Sequence, residues 1–274
     1  MRRAALALLF ILCFAVQATA QGGFGVAYYD VDKLYDTIPS KFYDDGDYTP
    51  EGRRRWSGER YVAKVRNIAR VVDSLSMPVV VLYGVENEQV VRDVVAAAGE
   101  DYAYVHRTQD YNNDGLDFAL LYFADIFFVE RVTPWRGAMC VEGEVNGREL
   151  TVVATNRSSS LRVLFEERDL HREGNNIVVV GQPSRTGFAN LGVEDCSLKA
   201  ERAGRGNIFT SGHWVMRDKV ASNIAGSKQC DVYIKSWLLN SNGVPQPTFD
   251  GVRFCGGYSS ALPIYIYFEE IFAF

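Results

Sequence analysis

Basic charge, histidine and long apolar runs are all in short supply in this chain. Lys+Arg number 29 against 34 Asp+Glu, a formal charge of −5, so there is no bulk basic field to hold nucleic acid by counterion release. Only three histidines occur, His106, His171 and His213. No Cys-x-x-Cys and no nearby His pair is present, which argues against a structural zinc site. Five cysteines are too few for a disulfide scaffold in 274 residues. No fixed-period repeat and no Pro/Ser/Gly linker divides the sequence. What remains is 47% hydrophobic, 13% aromatic and 23% charged, a globular composition with ample core material for one domain, or at most two.

The one long apolar run is N-terminal. Met1-Arg2-Arg3 precedes Ala4 to Val16, and Gln17-Ala18-Thr19-Ala20 follows. A positive start, a short apolar stretch and an Ala-x-Ala ending read as a signal peptide, residues 1–20. The run is short for a bilayer span, which needs roughly 20 apolar residues, and a membrane anchor is the lesser alternative. Cleavage leaves one domain, residues 21–274, without a transmembrane segment and with its charge moved from −5 to −7. The expected location is the periplasm or the extracellular space. Four cysteines then remain as disulfide candidates, Cys140, Cys196, Cys230 and Cys255, in a setting that permits disulfides. Four cysteines allow three pairings, spacing chooses none of them, and free thiols are the alternative.

Strands and helices alternate along the chain. Strands are expected at Gly25–Tyr29, Val79–Tyr83, Phe118–Phe123, Ile126–Val129, Ile177–Val180, Val232–Leu239 and Ile264–Phe268. Val62, Val65, Ile68, Ala69 and Val72 share one helical face from Ser57 onward. Glu88–Ala98 and Leu161–Arg172 also read as helices. Cys140–Glu144 and Arg148–Thr155 face each other across Asn146-Gly147, a strong hairpin signal. The class is α/β, with strands outnumbering helices.

Several segments, in order, carry a resemblance. They are Tyr29-Asp30-Val31-Asp32-Lys33-Leu34-Tyr35-Asp36; Tyr48-Thr49-Pro50-Glu51-Gly52 with Trp56, Arg60-Tyr61 and Lys64; Val85-Glu86-Asn87; Asp114-Gly115-Leu116-Asp117-Phe118; and Gly257-Tyr258-Ser259-Ser260-Ala261-Leu262-Pro263. Each is weak alone, but their order is specific. Together they resemble the endonuclease/exonuclease/phosphatase superfamily of DNase I-like phosphoesterases, in a secreted bacterial branch. The resemblance implies a four-layer α/β sandwich, two packed mixed β-sheets flanked by helices, with a cleft at one edge.

The family's chemistry uses a hard divalent cation, Mg²⁺ or Mn²⁺, held by oxygen ligands, and a His, an Asp and an Asn that position phosphate and activate water. Matched position by position, most of that set is replaced. The metal-proximal Asn is Asp30 and the second Asn is Lys33. The metal-binding Glu is Gly84, in the register fixed by Val85-Glu86-Asn87. The "Asn-His" segment is Ala154-Thr155, placing Thr155 at its His. The "Gly-Asp-Phe-Asn" loop is Gly181-Gln182-Pro183-Ser184, so Gln182 and Ser184 replace its Asp and Asn. In the final motif Ser260 stands for Asp and Ala261 for the catalytic His. Among acids Glu86, Asp117 and Asp218 are retained, the last following Trp214 where the family has Trp-x-x-Leu-Asp. Losing one acid–base group typically costs about 10²–10⁴ in rate, so the expectation is a fold kept while its hydrolytic site was lost, with no cofactor.

Three other features bear on ligands. Lys33 is a candidate fixed cation, paired to Asp30 and Glu86, against the plainer reading of a solvated lysine. Asp110, Asn112 and Asp114 match the first half of a calcium loop, but Leu121 stands where the bidentate Glu would be, which excludes an EF-hand. A lone Ca²⁺ turn and a loop of Asx-turns are both open. Arg53-Arg54-Arg55 reads as a solvated basic run. Three functions follow as expectations: a degenerate member binding an unidentified ligand or protein partner, nucleic acid being disfavoured on charge; an active metal-dependent phosphodiesterase rewired through Asp30, Glu86, Asp117 and Asp218; and a structural surface-assembly protein.

Overall fold

The structure, a computed structural model, describes residues 23–106 and 113–269. The leader and the Asp110 and Asn112 positions of the candidate calcium turn lie outside the described residues. Two six-stranded mixed sheets carry the fold. The first contains β1 (Phe24–Leu34), β2 (Val79–Val85), β3 (Ala103–His106), β4 (Asp117–Tyr122), β13 (Lys228–Val232) and β16 (Ile264–Phe268), in the order β13-β16-β1-β2-β4-β3. The second contains β5 (Phe128–Trp135), β6 (Ala138–Val145), β7 (Arg148–Thr155), β8 (Asn176–Gly181), β9 (Glu194–Asp195) and β12 (Lys219–Ser222), in the order β5-β6-β7-β8-β12-β9. In each sheet one central pair is parallel, β1 with β2 and β7 with β8, and the other pairs are antiparallel. Two small hairpins, β10 (Ile208–Thr210) with β11 (His213–Val215) and β14 (Phe249–Asp250) with β15 (Arg253–Phe254), stand outside the sheets.

Side-chain alternation shows how the layers stack. On β7 and β8, Val152, Ala154, Val178 and Val180 enter the central core between the sheets. Their neighbours Val153, Ile177 and Val179 point the other way, onto Leu161, Leu164 and Phe165 of α3 (Ser158–Glu167). That period of two is what a sheet buried on both faces requires. The helices α1 (Gly58–Leu75) and α2 (Glu88–Ala97) cover the outer face of the first sheet, and a short α4 (Leu198–Arg202) lies against β13. Helix starts follow local chemistry. Ser57 accepts from the Arg60 amide and Asn87 from the Val90 amide, as N-cap side chains do. The expected four-layer sandwich is therefore present. No helix among the described residues is long and apolar enough to cross a membrane.

Three local expectations are corrected. The strand expected at 232–239 stops at Val232, because its partner begins there. Ile264 is opposite Val232, and the preceding Pro263 can accept from Tyr233 but cannot donate. The chain then forms one 3₁₀ turn, Ser236–Leu238, with Trp237 packed on Tyr258 at 5.1 Å. The helix expected at 161–172 is α3, Ser158–Glu167, and ends five residues earlier than expected, just before Asp169 takes a positive φ of 47°. The strand expected at 126–129 begins only at Phe128, after a turn closed by the Phe127 amide on Phe123.

Candidate functional site

The cleft lies where β1 and β2 run out of regular pairing. The β1–β2 register shifts between Asp30 and Leu34, and Asp32 sits in the left-handed region at φ 60°. This bulge turns Asp30 inward and Asp32 toward the last motif. Ser259 donates to the Asp30 carbonyl at 2.7 Å, and the Ser260 amide donates to Asp32 Oδ2 at 2.9 Å, with the Ser260 hydroxyl on the other Asp32 oxygen. Ser260, at a family Asp position, thus ties the motif to β1. Ala261, at the His position, is buried and pairs its backbone with Ile208.

At the centre is a charge cluster that the sequence did not announce. Arg217 Nη2 donates to Asp30 Oδ2 at 2.7 Å, and its Nε donates to Asp218 Oδ1 at 2.8 Å. Gln182 Nε2 also reaches Asp30 Oδ2, at 2.9 Å. Asn207 completes the group: its amide nitrogen donates to Asp218 Oδ2 at 2.6 Å and its oxygen accepts from the Arg217 and Asp218 amides. The Asp30 and Asp218 side chains are 8% and 0% exposed. Burial pushes the Asp30 carboxyl well above the usual carboxylate range, with Arg217 pulling it back and Asp218 and Asp32 adding to the rise. The two carboxylates hold Arg217 firmly protonated against its own burial.

The open part of the cleft encloses ≈ 410 Å³. Asp32, Lys33, Arg54 and Asp114 supply its polar wall beside Asp30, and Tyr48, Tyr83, Leu116 and Phe249 its apolar one. Arg54 lies over the Tyr48 and Phe249 rings at 4.9 and 4.8 Å. The arginine run is therefore not uniformly solvated: Arg53 is exposed and pairs with Asp47, while Arg54 is drawn onto the cleft wall.

Each family position can now be placed. Asp30 and Gln182 meet directly. Lys33 is exposed at the cleft, and its charge acts on Asp47. The cation paired with Asp30 is Arg217, so of its two readings Lys33 takes the plainer one, an exposed lysine, and not that of a fixed cation on Asp30. Glu86 is likewise held by others, accepting from the Asp36 amide at 2.6 Å and the Tyr43 hydroxyl at 2.8 Å, with burial lifting its carboxyl to about 7. Thr155 donates into its own turn, to the Gly137 and Arg157 carbonyls, and Ser184 bonds Ser158 and Thr186. Asp117 accepts from the Phe118 amide. Asp114 accepts from the Leu116 amide, an Asx-turn. Of Asp30, Glu86, Asp117 and Asp218, only Asp30 lines the cleft.

Gly84, matched to a family Glu by the resemblance, is closed to any side chain. Its φ is +92°, and a Cβ there would lie 2.0 Å from the Asp32 carbonyl oxygen. The Asp32 carbonyl of the β1 bulge occupies the space that a side chain at position 84 would need. Among the described residues the four cysteines are unlinked: Cys140 is buried in the α3 layer, while Cys196, Cys230 and Cys255 are partly exposed.

Arg217 was the residue hardest to foresee, yet it leaves a trace. In Trp214-Val215-Met216-Arg217-Asp218 it stands where the family's Trp-x-x-Leu-Asp has Leu. A charge in an apolar slot beside a retained Asp is the signal.

A sequence profile described as the Endonuclease/Exonuclease/phosphatase family matches residues 25–187, more than half of the chain. The chain belongs to that family. No curated protein matches it in sequence. Among solved structures it is similar to a humanized D. rerio TDP2, at 12% identity and TM-score 0.59, covering 89% of this chain and 98% of that one. It is also similar to the endonuclease/exonuclease/phosphatase from Bacteroides vulgatus, at 11% identity and TM-score 0.57, covering 89% and 98%. A Bacteroides thetaiotaomicron family protein is similar at 16% identity and TM-score 0.55, covering 89% and 97%. At such identities the likeness concerns the fold, a DNase I-like α/β sandwich.

Proposed function

We propose that the protein is an exported, hydrolytically silent member of the family whose cleft serves as a binding module. The observation that carries this reading is the Arg217 guanidinium fixed between Asp30 and Asp218, at the cluster where the resemblance places the metal-proximal Asn position. The metal that the family uses does not fit the residues present. A hard cation needs several free oxygen ligands. Here Asp30 Oδ2 is already shared by Arg217 and Gln182, position 84 has no side chain, and no cluster of three His, Cys, Asp or Glu among the described residues converges to hold a metal. General acid–base chemistry lacks its partner as well, since position 261 is a buried alanine. A rewired hydrolase would need its four acids to converge, and three of them do not line the cleft.

For binding, the cleft offers a small, balanced set of groups. Asp32 and Asp114 offset Lys33 and Arg54, and Tyr48, Tyr83, Phe249 and Leu116 add flat and apolar surface. That lining favours a compact polar ligand with an apolar face over a polyanion such as nucleic acid. The export part of the reading rests on the leader pattern at residues 1–20. The test is hydrolysis of DNA, RNA and a generic phosphodiester with Mg²⁺ or Mn²⁺. The expected result is no metal-dependent rate. A metal-dependent rate that disappears in Asp30→Asn would overturn the proposal.

A further inference from the structure

A second cavity, of ≈ 510 Å³, lies away from the cleft and is lined by both Cys196 and Cys230. Cys196 directly follows β9, the edge strand of the second sheet, and Cys230 is on β13, the edge strand of the first. The two edges are held together by charge. Lys228 on β13 pairs with Glu194 on β9 at 3.4 Å, and Arg205 beyond α4 pairs with Asp231 at 3.0 Å. Cys196 and Cys230 each lie two residues beyond the Glu194–Lys228 pair, the spacing that returns a strand's side chains to one face. Both pack against the central core, and each thiol lies within electrostatic reach of the other's surroundings, Cys230 feeling Cys196 directly. The other two cysteines are placed elsewhere. Cys140 points to the opposite face of its sheet, into the α3 layer, and Cys255 follows the β14–β15 hairpin, hydrogen-bonding the Thr248 and Arg253 carbonyls.

We infer that Cys196 and Cys230 are a dithiol pair that oxidises to a disulfide joining the edges of the two sheets. Of the three pairings the sequence leaves open, the two that engage Cys196 with Cys140 or with Cys255 are removed. The oxidant is a small-molecule disulfide of the glutathione class. One cysteine thiolate attacks it and releases one glutathione thiol. The second cysteine thiolate then attacks the mixed disulfide and releases the other. The balance is two protein thiols and one oxidised glutathione giving one protein disulfide and two reduced glutathiones. Burial raises the Cys196 thiol to about 11 and the Cys230 thiol further, with Glu194, Asp195 and Asp231 adding to the rise and Lys228 opposing it. Thiolate is therefore scarce at neutral pH, and the reaction quickens about tenfold per pH unit on the alkaline side.

The bond has a structural consequence for the cleft. The 196–230 loop that it closes carries Asn207, Arg217 and Asp218. Oxidation would therefore tether both ends of the segment that delivers the cation paired with Asp30, and the loop-closure effect predicts a rise of about 10 °C in the unfolding midpoint.

The full chain is incubated with oxidised glutathione at about pH 9, alkylated, digested and mapped by mass spectrometry. The expected product is one linked peptide pair, containing Cys196 and Cys230 and lighter by two hydrogens than its separate parts. Cys196→Ser and Cys230→Ser each lose that species and its thermal gain, while Cys140→Ser and Cys255→Ser keep both. A stable glutathione adduct on either cysteine, a link to Cys140 or Cys255, or unreacted Cys196 and Cys230 overturns the inference. The wild-type map decides even where a variant fails to fold.

Discussion

Replacing Arg217 by methionine isolates what the buried cation does. The change keeps apolar volume but removes the cation bonded to both Asp30 and Asp218, whose side chains are 8% and 0% exposed. Two buried carboxylates are then left facing each other, and breaking a buried pair in this way costs about 3–5 kcal/mol. The pH dependence follows from the sign of the shift. Asp30 already has a folded-state pKa raised above its unfolded value by burial. For a raised carboxyl, folded and unfolded states are both protonated below the unfolded pKa, near about 4, and no penalty exists there. As pH rises toward the folded pKa, the unfolded state releases its proton first and stability falls. Without Arg217 that window extends to higher pH. The gap between Arg217→Met and wild type should be small near about pH 4.5 and approach its full size near about pH 8. Urea unfolding followed by far-ultraviolet circular dichroism measures it. Adding Asp30→Asn should recover most of the loss, since the remaining acid keeps its Asn207 bond. A wild-type midpoint for Arg217→Met at about pH 8, or a gap independent of pH, would refute the reasoning.

Other perturbations follow from the same geometry. Lys64 is fully buried, donating to Thr248 and the Tyr258 carbonyl, and burial lowers its pKa from 10.5 to about 8. A depressed lysine penalises the fold below its folded pKa, so wild type should gain about 3 kcal/mol as pH rises from about 8 toward 10.5, and Lys64→Met should lack that gain in alkaline unfolding curves. Gly84→Ala sets a Cβ against the Asp32 carbonyl oxygen at a positive φ, and chemical unfolding should show a loss of more than about 2 kcal/mol. Asn87→Ala removes the cap on the Val90 amide and should cost about 1 kcal/mol in the same assay.

The sandwich was legible because its signals are local. The apolar run Val79–Tyr83, the Asn146-Gly147 turn and the helical face from Val62 to Val72 each specify an element without reference to the rest of the chain. The strand expected beyond Val232 failed because its end is set by a partner thirty residues away, where Pro263 precedes the first residue of β16. The cleft was half legible for a similar reason. Position-by-position comparison with the resembled family gave an expectation of which site residues differ, but not which side chains meet in their place. Arg217 meets Asp30 across 187 positions of sequence, and no spacing rule reaches that far. The close approach of the Asp32 carbonyl to Gly84 was equally hidden, because it depends on the Asp32 bulge in a neighbouring strand. Lys33 attracted attention by adjacency to Asp30, yet alternation and the bulge send it outward to solvent.

The central claim is that the cation paired with Asp30 is Arg217 and that no divalent ion takes its place. Titration of the protein with Mn²⁺, followed by the loss of the free-ion electron paramagnetic resonance signal, tests it directly. The account predicts no saturable binding that depends on the cleft, with wild type and Asp30→Asn giving the same curve. A site filled by Mn²⁺ in wild type and abolished by Asp30→Asn would contradict it.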